Sequence, residues 1–215
     1  HILSRVFFSG KALMENVDNL FDIWDELIGE YNFDNPKRLI EIIKSAKADM
    51  EDSILSSGNH YVLSRLQSYQ SPLGRYNELA EGISFYHFVE KLLVRAEKNP
   101  DEVAEEFRGV ARILLTKENA LANITVPEKD YKKVEKRVIA LTQILSDDKK
   151  APVALEFEFA LENEAFLTAS AVQFVGKGAN LYELGMEYSG KFDVLNSVLR
   201  TCYLWDRVRV QGGAY

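Results

Sequence analysis

Apolar residues recur at three- and four-residue steps through the first two thirds of this chain, and at every second residue in much of the last third. A helix face repeats every 3.6 residues and a strand face every 2. The change of period therefore restricts the chain to folds that combine helices with extended segments. Val17, Leu20, Phe21, Trp24, Leu27 and Ile28 form the first helical stripe, with Asn16 as candidate cap. It follows a short strand-like run, Arg5 to Ser9, closed by Gly10. A second helix opens at Asn35-Pro36, where a side-chain acceptor precedes a proline whose missing N–H the first turn does not need. It turns Leu39, Ile43, Ala46 and Met50 inward and stops near Ser56-Ser57-Gly58. Shorter helices are expected from His60 to Tyr69 and from Leu73 to Ala80, and a longer one from Ser84 to Glu97. Asn99-Pro100 begins another, with Val103, Phe107, Val110 and Leu114 as its buried stripe.

Then the pattern switches. Ala120 to Val126 reads as a strand, after which Pro127 opens a helix with Tyr131, Val134, Val138, Leu141 and Leu145 on its inner face. The polar run Ser146 to Lys150, before Pro152, is the linker candidate. Beyond it Val153, Leu155, Phe157, Phe159 and Leu161 alternate with Ala and Glu. A second strand is expected from Phe166 to Lys177, a helix from Leu195 to Trp205 and a third strand from Val208 to Tyr215. The expected fold class is α+β, a mainly antiparallel sheet with helices packed on one face.

Composition narrows the function classes. With 47% hydrophobic and 27% charged residues, the chain reads as an ordinary globular protein with no run apolar enough for a membrane span. Its first apolar stretch is followed by no small-residue cleavage site, so a signal peptide is not expected. A net charge of −7 argues against nucleic acid as partner. One cysteine, Cys202, rules out an internal disulfide and fits a reducing compartment, the cytoplasm or alternatively an organelle matrix. Lying on an apolar helix, Cys202 reads as a small core residue and not a nucleophile.

Ser9 to Leu13, Asn16, Leu20 to Asp22 and Trp24 resemble the third domain of presequence-protease-type enzymes, in the insulinase-like (pitrilysin) zinc metallopeptidase clan. The likeness continues through Met50-Glu51, Ser53, Ser57-Gly58, His60-Tyr61 and Ser64-Arg65. It resumes at Asn163 to Phe166 and Val175 to Lys177, and closes with Tyr203 to Trp205, Val208-Arg209 and Gly212-Gly213-Ala214-Tyr215. The ordered set, ending in R-V-x-G-G-A-Y, covers nearly the whole chain. The resemblance implies four homologous α+β domains in two halves that close around a chamber. On it, residues 1–148 are the later part of the third domain, and 149–215 are a linker and the first part of the fourth, both domains incomplete. The family pattern runs on to a further glycine after Tyr215, so the end is expected to be a cut inside the motif.

The resemblance also implies roles. An arginine and a tyrosine six residues apart, here Arg209 and Tyr215, bind the substrate backbone near the scissile bond and the oxyanion that develops there. Gly212 and Gly213 let that backbone come close, having no side chains in the way. The clan's zinc motif, H-x-x-E-H, sits in the first domain. Its nearest counterpart here is His87-Phe88-Val89-Glu90-Lys91, where a lysine replaces the second histidine. The other histidines are His1 and His60, the latter read as a helix-start residue bonded to local backbone. No catalytic residue and no metal ligand is therefore expected in this chain. Zinc, the glutamate base and the histidines are expected from the N-terminal half of the same polypeptide.

The implied function is that of a C-terminal-half fragment of a zinc oligopeptidase that degrades short unfolded peptides in a closed chamber. Alone, the chain is expected to bind no zinc and cleave no peptide. The other reading is a catalytically silent family member acting as a binding or structural subunit. Whether the first domain carries H-x-x-E-H decides between them. A strand at Val208 to Tyr215 without neighbours would also recruit other chains, so self-association is expected.

Overall fold

Prolines set the starts of three helices. Pro36, Pro72 and Pro100 each occupy a first turn, and two of the three preceding residues cap in the expected way. Asn35 accepts a hydrogen bond from the Arg38 backbone N–H at 3.0 Å, and Ser71 accepts one from Gly74 at 3.0 Å. Asn99 instead donates through its side-chain amide to Glu102 at 3.1 Å. Asn16 makes no side-chain cap bond. A 3₁₀ turn over Met14–Asn16 leads into the first helix, and Asn16 is tied by its backbone N–H to Leu13.

The structure, a computed structural model, describes residues 5–149, 155–159 and 161–214. Its helices are α1 (Val17–Gly29), α2 (Pro36–Ser56), α3 (Gly58–Ser68), α4 (Pro72–Glu81), α5 (Ile83–Lys98), α6 (Pro100–Leu114), α7 (Glu128–Ile144) and α8 (Lys191–Val198). A π-type helix over Leu199–Val210 continues α8 without a break. Two apolar clusters organise the body. In the larger, Leu39 and Ile43 of α2 meet Val89 and Ala96 of α5 and Val103 and Ala104 of α6, with Phe33 and Phe107 stacked at its edge. In the smaller, Val17 and Phe21 of α1 pack on Val134 of α7, with Trp24 set edge-on to Phe21. Arg137 lies over the Phe21 ring and pairs with Asp22 at 2.5 Å, closing the α1–α7 seam with a charged lid. Helices α3 and α4 form a hairpin against α5.

The expected antiparallel sheet is absent from the described residues. Among the described residues every regular element is helical, and the one β-type pairing is an isolated parallel bridge between Thr116 and Ser146. The period of two is nevertheless used. Ile124 and Val126, two residues apart on an extended segment, both pack against the α1–α7 cluster. Helices receive the alternating side chains, where a neighbouring strand was expected to. Residues 155–159 and 166–177 likewise run without strand pairing, and Val153 and Ala160 lie outside the described residues. Arg5 to Ser9 is exposed and irregular.

The third expected strand is instead helical over residues 208–210 and then turns, with Tyr215 outside the described residues. Nothing between Lys191 and Gln211 interrupts a helix, since the stretch holds no glycine and no proline. The β preference of Val208 and Val210 is a weak local term beside the continuation of a helix already begun. Gln211 donates to Asp206 at 2.8 Å, the five-residue step of a π-helix. Four inner-face assignments also fail: Tyr131 on α7, Val110 and Leu114 at the end of α6, and Ala46 on α2 are exposed.

Candidate functional site

The C-terminal helix ends where a glycine can end it. Gly213 has φ of 68°, a left-handed conformation that removes the penalty only for a residue without Cβ. Its N–H donates to Arg209 and that of Ala214 donates to Val208, both at 3.1 Å, so the last carbonyls are satisfied as the chain turns away. Arg209 sits one turn before this glycine, its guanidinium 4.8 Å from the centre of the Trp205 ring. Ser197, Arg200, Thr201 and Trp205 line a shallow open depression along the same helix. Arg209, Gly212 and Gly213 are thus neighbours on one exposed helix end, and Tyr215 lies outside the described residues.

The other sequence candidates separate. His60 is exposed at the start of α3, where its backbone N–H donates to Ser57 at 2.9 Å. On the outer face of α5, the His87 ring lies 3.0 Å from Glu90. Among the described residues no group of three His, Cys, Asp or Glu is arranged to hold a metal ion, and His1 lies outside them. Cys202 is exposed beside Thr201, not buried as a core residue, because its helix has no extensive packing against the body among the described residues.

The most completely built polar cluster was not anticipated. Glu78 of α4 is 0% exposed, and an unpaired carboxylate there would be prohibitively costly. Arg65 of α3 donates to it at 3.1 Å, and the Ser84 backbone N–H, in the first turn of α5, donates at 3.0 Å. The positive end of α5 therefore points at the buried anion. Gly82 is required beside it, since a Cβ there would lie 2.1 Å from a Glu78 carboxylate oxygen. Arg65 also donates to Ser84 Oγ at 3.1 Å and grips Glu164 with its remaining edge, one bond being 3.1 Å. Tyr69 and Phe166 lie 5.4 and 5.7 Å from the guanidinium. The bonds to Glu164, ahead of the charge of Glu78, raise the Arg65 pKa against the opposing effect of burial, so the group stays charged. The signal available in sequence was an acid four residues ahead of Gly82, on a helix that must pack.

A second polar seam joins α2 to α5. The Tyr86 hydroxyl lies 2.9 Å from a carboxylate oxygen of Glu51 and 2.9 Å from one of Glu90, so one proton is shared between two anions. Burial first, then the two carboxylates, push the Tyr86 phenol up to about 12. Lys47 holds Glu51 below the usual carboxylate range, and His87 does the same for Glu90.

Comparison with known proteins locates the chain. Residues 1–92 match the family model described as peptidase-associated for family M16, subfamily C, and residues 163–215 match that of the PreP C-terminal domain. Protein HypA of Clostridium perfringens is 30% identical over 207 residues, covering 96% of this chain and 21% of that protein. Presequence protease 1, chloroplastic/mitochondrial, of Arabidopsis thaliana is 28% identical over 213 residues, 99% of this chain and 20% of that protein. Mitochondrial presequence protease of Yarrowia lipolytica is 27% identical over 114 residues, 53% of this chain and 12% of that protein. The chain spans about a fifth of the length of the first two relatives. No helix among the described residues is long and apolar enough to cross a membrane.

Proposed function

As the chain belongs to the presequence-protease type of pitrilysin-family peptidases, we propose that it supplies substrate-contacting residues to a peptidase acting on short unfolded peptides. The observation that carries this reading is the exposed helix end at which Arg209, Gly212 and Gly213 follow one another, inside the stretch matched by the PreP C-terminal model. An extended peptide offers carbonyl acceptors and little else that is common to all sequences. A guanidinium donates to such carbonyls in pairs, and two glycines leave the space a bound backbone needs. When the scissile carbonyl gains negative charge, Arg209 and the Tyr215 phenol donate to it more strongly than to the resting amide, which lowers the barrier.

Zinc is the metal this family implies, and the residues here do not fit it. His87 is engaged with Glu90, Lys91 stands where a second histidine is needed, and no third ligand stands nearby among the described residues. The metal, the glutamate base and the histidine ligands are assigned to an N-terminal half, around which this chain would complete a chamber. Residues 1–148 are assigned to a third domain of that protein and 149–215 to a linker and the start of a fourth. The compartment proposed is the cytoplasm or an organelle matrix.

The test is steady-state kinetics on a full-length protein carrying this chain. Arg209→Ala is expected to lower kcat by about 10²–10³, as loss of one oxyanion donor does, with peptide still bound and metal content unchanged. Tyr215→Phe is expected to lower it less, because the ring is retained. If both variants keep kcat within about twofold, far below that range, the pair is structural and the assignment is wrong.

A further inference from the structure

The segment that follows Glu164 lies along α3 in a register that two glycines make possible. Phe174 meets α3 at Gly58, where an added Cβ would fall 2.3 Å from its ring. Gly176 meets Val62 and Leu66, where its own added Cβ would fall 2.4 Å from a Val62 methyl, and Gly178 follows against Leu66. Each glycine thus removes a side chain that the opposite partner would strike, one on the helix and one on the segment. The lengths agree. From Gly58 to Leu66 a helix rises about 12 Å, and from Phe174 to Gly178 an extended chain covers about 13 Å. Alternate residues of an extended chain therefore keep step with successive turns of a helix, with Val175 directed to solvent between them.

The other end is held by charge. Glu164 is gripped by Arg65 near the C-terminal end of α3, with Phe166 against the guanidinium. Between these two attachments the chain swings outward, and Leu167 at the start of the excursion is 100% exposed. We infer that residues 163–178 form a strap fastened to α3 at two independent points, an ionic anchor at Arg65 and a steric notch between Gly58 and Gly176. Arg65 is its positioning residue. It is fixed from behind by Glu78 and the start of α5, so the anchor has a definite place before the strap arrives. Release of the strap would let the Arg209-bearing helix move relative to the body while the body stays folded. The inference stands on contacts within this chain and holds whatever reaction the parent performs.

Limited chymotrypsin digestion of the intact 215-residue chain, read by mass spectrometry, tests it. Cleavage after the fully exposed Leu167 is the internal reference, and cleavage after Phe174 reports release. Gly58→Ala is the primary variant, because alanine favours α3 while its Cβ occupies the place of the Phe174 ring. Cleavage after Phe174 is expected to rise about tenfold or more, since seating an aromatic ring outweighs that factor in an opening equilibrium. The rate at Leu167 and the helical circular dichroism should stay unchanged. Glu164→Gln, which leaves Arg65 paired with Glu78, should raise the Phe174 rate by a smaller factor and flatten its increase with salt. A Phe174 rate in Gly58→Ala within about twofold of the parent chain would overturn the notch, being well short of the tenfold expected. An undiminished salt dependence in Glu164→Gln would overturn the ionic anchor.

Discussion

The helical body from residue 17 to 146 and the region from 155 to 214 are both rich in large apolar side chains, yet only the first buries any of them completely. The body holds Val103 at 0% exposure and Phe21 at 2%, whereas no described residue beyond 154 is buried. A helix closes its own backbone hydrogen bonds, so an apolar stripe and one neighbouring helix suffice to make a core. A segment patterned in twos needs a neighbouring strand for its backbone as well as a layer for its side chains. The second region finds a helix to lean on, α3, but no sheet to join. Stability is therefore concentrated in the first region, and the second is positioned by a few discrete contacts.

That contrast can be broken most sharply at Phe21. Phe21→Ala removes the ring that α1 sets against Val134 and Arg137, and is expected to destabilise the chain by about 3–5 kcal/mol. Urea unfolding followed by circular dichroism measures this. A loss under about 1 kcal/mol would mean the α1–α7 cluster is not a core. A smaller effect should appear only in alkali. Tyr86 has its phenol raised from 10.0 to about 12, so between those values the unfolded chain has released a proton that the folded chain still holds. Stability then falls as pH rises through this interval, and the contribution is fully present below pH 10. Tyr86→Phe should lessen that fall, to which the raised pKa values of Lys47 and Tyr188 also add, measured as the change in urea midpoint with pH. An identical alkaline profile in the variant would place the pH sensitivity elsewhere. Smallest of all should be Leu167→Ala, in the second region, where a side chain that touches nothing is expected to change stability by no more than about 0.5 kcal/mol. A loss above about 1 kcal/mol in the same urea assay would show that the second region has a core of its own.

The helices were legible because their determinants are local. Asn35 and Pro36 announce α2 within four residues, and the bond from Arg38 confirms it. Asn16 misled because a 3₁₀ turn supplied backbone bonding of its own, so the side chain was not needed as a cap. The sheet was misread for a different reason. Alternation states which residues face inward, not what they face, and Ile124 and Val126 face helices. Most of the Arg65 cluster was out of reach, because Glu78 and Glu164 stand 13 and 99 positions away. Yet Ser64-Arg65 and Glu164 to Phe166 were among the residues on which the family resemblance rested, and they meet in space. The glycine ending was legible as a motif, but its helical geometry was not, since Val208 and Val210 speak locally for a strand. The self-association expected from an unpaired strand at that end loses its premise with the strand.

The surface left uncovered has a thermodynamic consequence. The chain exposes 16835 Å², whereas a compact monomer of 24.5 kDa exposes about 10,000 Å². An unfolded chain of this mass exposes about 35,500 Å², so unfolding uncovers about 19,000 Å² instead of about 25,500 Å². The denaturant m-value and the heat-capacity increment both scale with that difference. Each should therefore be about a quarter lower than chain length alone implies. The stability curve of this chain is correspondingly flatter and its denaturant transition broader. A stability extrapolated with an m-value assigned from its 215 residues would therefore be too high.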